Sequence, residues 1–191
     1  DGDGDVDVFV GSRSIVGTYG VNPDHLFLSN NGDGTFTDIT ERSAYDLKDA
    51  GMVTDASWVD MDGDGKDDLI TVSDWGSPKI YKNSGRRLSK FTSSLDSLNG
   101  WWGAVEPYDI DNDGDQDLYV SNDQANIFYS NQGLGIFKRS SSRVGGVGDQ
   151  RFGSSVTWVD YDKDGYLDLY VANYFDQSRI PIGLETFFPY D

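Results

Sequence analysis

Short β-rich apolar runs, broken by turn residues, follow one another along this chain. Runs at 53–59, 69–73, 79–82 and 88–93 predict four strands, and runs at 103–108, 118–121, 126–129 and 136–139 predict four more in the same order. An earlier set lies at 8–10, 25–28 and 35–39. Asn and Asp beside Gly fill the gaps, as in Asn31-Gly32-Asp33-Gly34, Asn83-Ser84-Gly85 and Asn131-Gln132-Gly133, and these are hairpin signals. No segment holds a helical period over eleven residues; the best helical candidate is 41–49. Four antiparallel strands per unit, repeated, predict an all-β fold, a β-propeller of four-stranded blades. The units fall at about 1–40, 53–93, 103–140 and 154–191, giving three to four blades of an incomplete ring in one domain segment. Because a lone blade cannot bury both faces, Trp58, Trp158, Tyr119, Tyr170, Phe36, Phe91 and Phe137 are expected between blades.

One polar stretch recurs within these units. Asp60, Asp62, Asp64 and Asp68 stand at positions 1, 3, 5 and 9 of a loop with Gly65 at position 6. Asp109, Asp111, Asp113 and Asp117 repeat the pattern around Gly114, and Asp160, Asp162, Asp164 and Asp168 repeat it around Gly165. The chain opens inside a fourth copy, with Asp1, Asp3, Asp5 and Asp7. Carboxylates at alternate positions converge if the backbone curls, and the glycine permits the positive φ of that curl. A hard cation such as Ca²⁺, which takes six to eight oxygens, is the expected ligand. Position 7 would add a backbone carbonyl, from Lys66, Asp115 or Tyr166. Position 12, a bidentate Glu in an EF-hand, is Thr71, Val120 or Val171 here, so the loop is a different and shorter one. Three complete sites and one partial site are expected.

Charge agrees with that reading. The 191 residues carry a net charge of −18 and 18 of the 33 acidic residues lie in the four loops, while the other 15 match the 15 Lys and Arg. With no basic patch, nucleic-acid binding is disfavoured. Aromatic residues at 14% argue against disorder. Cysteine is absent, which excludes disulfides and thiol chemistry. No apolar stretch is long enough for a membrane helix. No leader is visible, and the start inside a motif reads as a mature or partial chain.

The D-x-D-x-D-G-x-x-D-L loop, the run LFLSNNGDGTFTDIT at 26–40 and the run NIFYSNQGLGIF at 126–137 resemble FG-GAP/VCBS repeats. Such repeats build integrin-α-type propellers and occur in bacterial secreted proteins and relatives of cartilage acidic protein. The resemblance covers nearly the whole chain. It implies a calcium-stabilised propeller that is extracellular, at the cell surface or periplasmic, with structural metal loops and recognition on other loops. Residues 184–191 depart from a blade's third and fourth strands, and the first unit lacks its first strand and its position-1 ligand.

The expected function is therefore non-catalytic: adhesion or another contact with protein or glycan at the cell surface. Two alternatives stand beside it, part of a lyase-like polysaccharide-active propeller and an architectural subunit of a surface assembly or filament. His25 is the sole histidine, so no nucleophile–base pair is visible, and Glu41, Glu106 and Glu185 are the only glutamates. Trp75, Trp101 and Trp102 sit near turns, where exposed rings would stack on sugars. The insertion at 12–23 is the expected adapted loop. Remaining blades, or neighbouring subunits, are expected to cover the ends of the arc.

Overall fold

A computed structural model describes residues 3–123, 125–140 and 151–176. Strands β1 (Val8–Val10), β2 (Leu26–Asn30) and β3 (Phe36–Asp38) form a three-stranded antiparallel sheet. The second unit is a four-stranded meander of β4 (Met52–Val59), β5 (Asp68–Gly76), β6 (Lys79–Asn83) and β7 (Leu88–Phe91). Strands β8 (Gly100–Tyr108), β9 (Asp117–Asn122), β10 (Ile127–Asn131) and β11 (Phe137–Arg139) repeat it. A last hairpin pairs β12 (Arg151–Val159) with β13 (Asp168–Asp176). The fold is the expected open arc of propeller blades. In every unit the acidic loop leads into the blade's second strand, and in the last three it joins the first strand to the second.

Period-two alternation serves two cores at once. On β5, Leu69 points toward the first unit and packs with Phe27, Tyr81 and Leu88. Its neighbours Ile70 and Val72 point the other way, against Leu118, Val120, Ile127 and Phe137 of the third unit. On β9 the sides are again divided, with Tyr119 meeting Phe128 and Val156 toward the last hairpin. Both faces of these strands are buried, so their apolar runs are nearly continuous instead of alternating with polar residues. Polar contacts bind the blades as well. The Thr54 hydroxyl lies 2.7 Å from the Trp102 carbonyl, and the Val105 amide donates to Asp55 at 3.0 Å.

Several expectations are corrected here. Tyr119 and Phe137 are buried, but Phe36, Trp58 and Tyr170 are exposed. Leu169 and Val171 of β13 pack toward the third unit, and Tyr170 between them is exposed on the opposite face. The helical candidate divides into α1 (Thr40–Ser43) and a 3-10 turn (Tyr45–Asp49). Together they are core: Ala44, Leu47 and Ala50 are wholly buried beside Phe27 and Leu69. Trp101 and Trp102 lie inside β8 and Trp75 inside β5, because β5 runs on past its blade to pair with the start of β8. Asp74 and Gly76 meet Trp101 and Gly100 there, and Trp75 bulges between them with φ 54°. The expectations for Asp1, Glu185 and 184–191 fall outside the described residues.

Candidate metal centre

Each of the three complete acidic loops is wound around its first aspartate. Asp60 takes the amides of Gly63, Asp64 and Gly65 at 2.9, 3.1 and 2.8 Å, using both carboxylate oxygens. Asp109 takes Asp113 and Gly114 at 3.1 and 3.0 Å, and Asp160 takes Asp164 and Gly165 at 3.1 and 3.2 Å. Left-handed backbone makes the curl. Gly65, Gly114 and Gly165 have φ of 83°, 95° and 93° at position 6. Position 4 is left-handed too, with φ of 73° at Gly63, 56° at Asn112 and 62° at Lys163. That second turn was missed in the sequence because three different residue types occupy it.

Position 9 closes the first three loops on their blades. Asp68 accepts from the Met61 amide across the loop and from the Asn83 amide at 2.7 Å on β6. Asp117 accepts from Ile110 and, at 2.8 Å, from Asn131 on β10. Asp7 accepts from Asn30 on β2 at 3.0 Å. The three asparagines behave alike. Their side-chain amides donate to the position-8 carbonyls of Val6, Asp67 and Gln116, and their side-chain oxygens accept from Gly32, Gly85 and Gly133. Asn30, Asn83 and Asn131 thus clasp the acidic loop to the next hairpin. The signal was in the sequence as an Asn two residues before each turn glycine, where it reads as turn chemistry alone.

The result is three convergent triads: Asp60, Asp62 and Asp68; Asp109, Asp111 and Asp117; Asp160, Asp162 and Asp168. Within each, one carboxylate oxygen per residue lies within 4.8 Å of the others. Two oxygens bound at about 2.4 Å to one calcium can be no further apart than about that distance. A donor set of carboxylate oxygens alone suits a hard cation. Position 5 stands aside from the triads: Asp64, Asp113 and Asp164 accept from the amides of Lys66, Asp115 and Tyr166 at 3.0, 2.9 and 2.9 Å. Asp3 holds the Asp5 amide at 3.0 Å in the same way. Lys82 pairs with Asp62 and lies 3.5 Å from Asp64, a charge the first and third loops lack because Ser29 and Ser130 occupy its place.

Electrostatics favour a cation. Burial pushes the Asp117 carboxyl up to about 6, and Asp111 and Asp113 add to the rise. Asp68 moves in the same direction, again by burial first and then by Asp64 and Asp60. A divalent ion among the carboxylates would reverse both effects.

These hairpins, each an acidic loop feeding a strand and clasped by the next turn, coincide with the units of one sequence family. The family model for the FG-GAP-like repeat matches at 1–71, 60–120 and 109–171. The chain belongs to the FG-GAP-like repeat family. Each FG-GAP-like match starts at one acidic loop and ends on the strand that follows the next. No curated protein matches this FG-GAP-like repeat chain.

The other candidates lie apart from the FG-GAP-like loops. His25 is buried, and its Nδ1 accepts the Ser12 amide at 3.1 Å. The 12–23 insertion folds back on β5, where Arg13 and Tyr19 each reach Asp74 at 2.7 Å. Tyr19 packs edge-on to half-exposed Trp75, which leans on Trp101, while Trp102 is buried and donates its indole N–H to the Gly76 carbonyl.

Proposed function

We propose that this FG-GAP-like repeat segment is a calcium-stabilised, non-catalytic propeller module that makes protein or glycan contacts outside the cytoplasm. The observation that carries the reading is the triad of carboxylate oxygens, built three times with the same backbone contacts. Three carboxylates on a largely exposed loop suit the weak, millimolar-range calcium sites of extracellular modules. The non-catalytic part is supported by how the convergent carboxylates are used: their oxygens hold loop amides, and His25 holds a backbone amide. Among the described residues no helix is long and apolar enough to cross a membrane.

The test is thermal melting with calcium, with EDTA and with magnesium. An ion that binds only the folded chain adds about 2.7 kcal/mol per site at 100 times its Kd. Calcium is expected to raise the melting temperature by many degrees over EDTA. Magnesium should do so poorly, because it demands a smaller octahedral shell. Identical melting curves in calcium and EDTA would refute the reading.

A further inference from the structure

A cleft of about 430 Å³ opens between the first and second units, beside the acidic loops of both. Its floor is apolar, formed by Phe27, Ile39 and Trp58. Trp58 is 38% exposed and leans on Phe27 with ring centroids 6.2 Å apart. On the rim stand Lys66, Arg86 and Arg87. Both arginines are exposed, and among the described residues neither guanidinium enters an ion pair. Lys66 reaches Asp64 at 3.3 Å. Two acidic residues share the lining: Asp7, engaged by the Asn30 amide, and Asp67.

The fold supplies its own comparison. The matching cleft between the second and third units, about 290 Å³, has Asp115 where Lys66 stands, and Leu134 and Gly135 where Arg86 and Arg87 stand. Blade packing therefore does not require cations at these positions. Their gathering at one cleft, on a chain of net charge −18, marks a local preference for an anion. Arginine forks match carboxylate and sulfate groups. A half-exposed indole in an apolar floor offers a face to a ring, and the volume lies in the range of about 300–1,000 Å³ usual for small-ligand sites. Asp67 decides against a multiply charged phosphate ligand and in favour of one rich in hydroxyls, which donate to its carboxylate.

We propose that this cleft binds an acidic sugar, its anionic group held by Arg86 and Arg87 and its ring laid against Trp58. The proposal rests on the recognition-module reading above and names its ligand class. Carboxylate and sulfate share the chemistry, so the test separates them. The 191-residue chain in calcium is titrated by calorimetry with a glucuronate-bearing oligosaccharide, its methyl ester, the same oligosaccharide bearing sulfate, and inorganic sulfate. Saturable binding of the carboxylated or the sulfated sugar is expected, and the tighter of the two identifies the anion. Arg86→Ser with Arg87→Ser should weaken it at least about tenfold at an unchanged melting temperature. Trp58→Leu should weaken it as well, and the arginine variants, being on the surface, decide the matter if that change unfolds the chain. Equal binding of the methyl ester, inorganic sulfate binding as tightly as the sugar, or an unaffected arginine variant would each overturn the proposal. So would a flat titration by a protein whose melting still responds to calcium, an outcome that defeats the sugar site alone.

Discussion

At the scale of single residues, two positions tell most about the loops. Asn131 is buried and satisfies three groups: its own amide goes to Asp117, its side-chain amide to the Gln116 carbonyl at 3.1 Å, and its oxygen to the Gly133 amide at 3.0 Å. Asn131→Ala leaves two of these without partners. A loss of about 2–3 kcal/mol in urea unfolding is expected, with weaker calcium binding, whereas a loss under 0.5 kcal/mol would show the clasp to be incidental. Lys163 is the opposite case. Its φ of 62° is a conformation that Gly63 adopts freely at the same position of the second loop. Lys163→Gly relieves that strain and should stabilise the chain by up to about 1 kcal/mol in the same measurement. The chain order of Asp and Gly was enough to place the carboxylates. It could not show that position 4 also turns left-handed, because Gly, Asn and Lys share no side-chain chemistry.

Among the elements, the junction between acidic loop and second strand responds to pH. In calcium-free protein the Asp117 carboxyl is held at about 6, chiefly by burial, against about 3.9 in an unfolded chain. Between those values the folded state binds more protons than the unfolded one, so stability falls as pH rises from 4 through 6. His25, lowered by burial, acts in the other direction: its contribution falls as pH drops below its ordinary value. Asp117→Asn isolates the carboxylate. In EDTA, wild type should lose melting temperature relative to Asp117→Asn between pH 5 and pH 7.5, and calcium should cancel that loss. A constant difference across the range would place Asp117 in water. The strands themselves were legible to within a few residues, since turn residues bracket each run. Their far ends were not: β5 and β8 extend by pairing with one another, a contact between residues 74–76 and 100–101 that neither segment signals alone.

For the whole molecule, blade packing sets the tightest limits. An added Cβ at Gly103 on β8 would lie 2.1 Å from the Gly153 carbonyl on β12. Backbone cannot yield there without moving a blade, so Gly103→Ala should cost about 2–3 kcal/mol and broaden the melting transition. A fully tolerated alanine would mean that the first strands of neighbouring blades stand further apart. The aromatics depart from this packing at two repeat positions that suggest core: Trp58 is exposed at the cleft between the first and second units, and Phe36 is exposed on β3, whereas its equivalents Leu88 and Phe137 are buried against the preceding unit.

What the sequence determined by itself was of short range: most of the turns, the short apolar runs, the nine-residue pattern of each acidic loop and, through their repetition, the blade. These depend on backbone sterics and on neighbours within about ten residues, which composition and spacing encode directly. Only the tertiary structure decided which strand faces go to which core, that the 40–50 segment is core, and that Asn30, Asn83 and Asn131 hold the acidic loops. It alone brought Trp58 on one strand beside Arg86 and Arg87 on a distant turn. Such contacts join residues far apart in the chain, and their partners are chosen by the angle at which blades stack, a quantity written in no single segment.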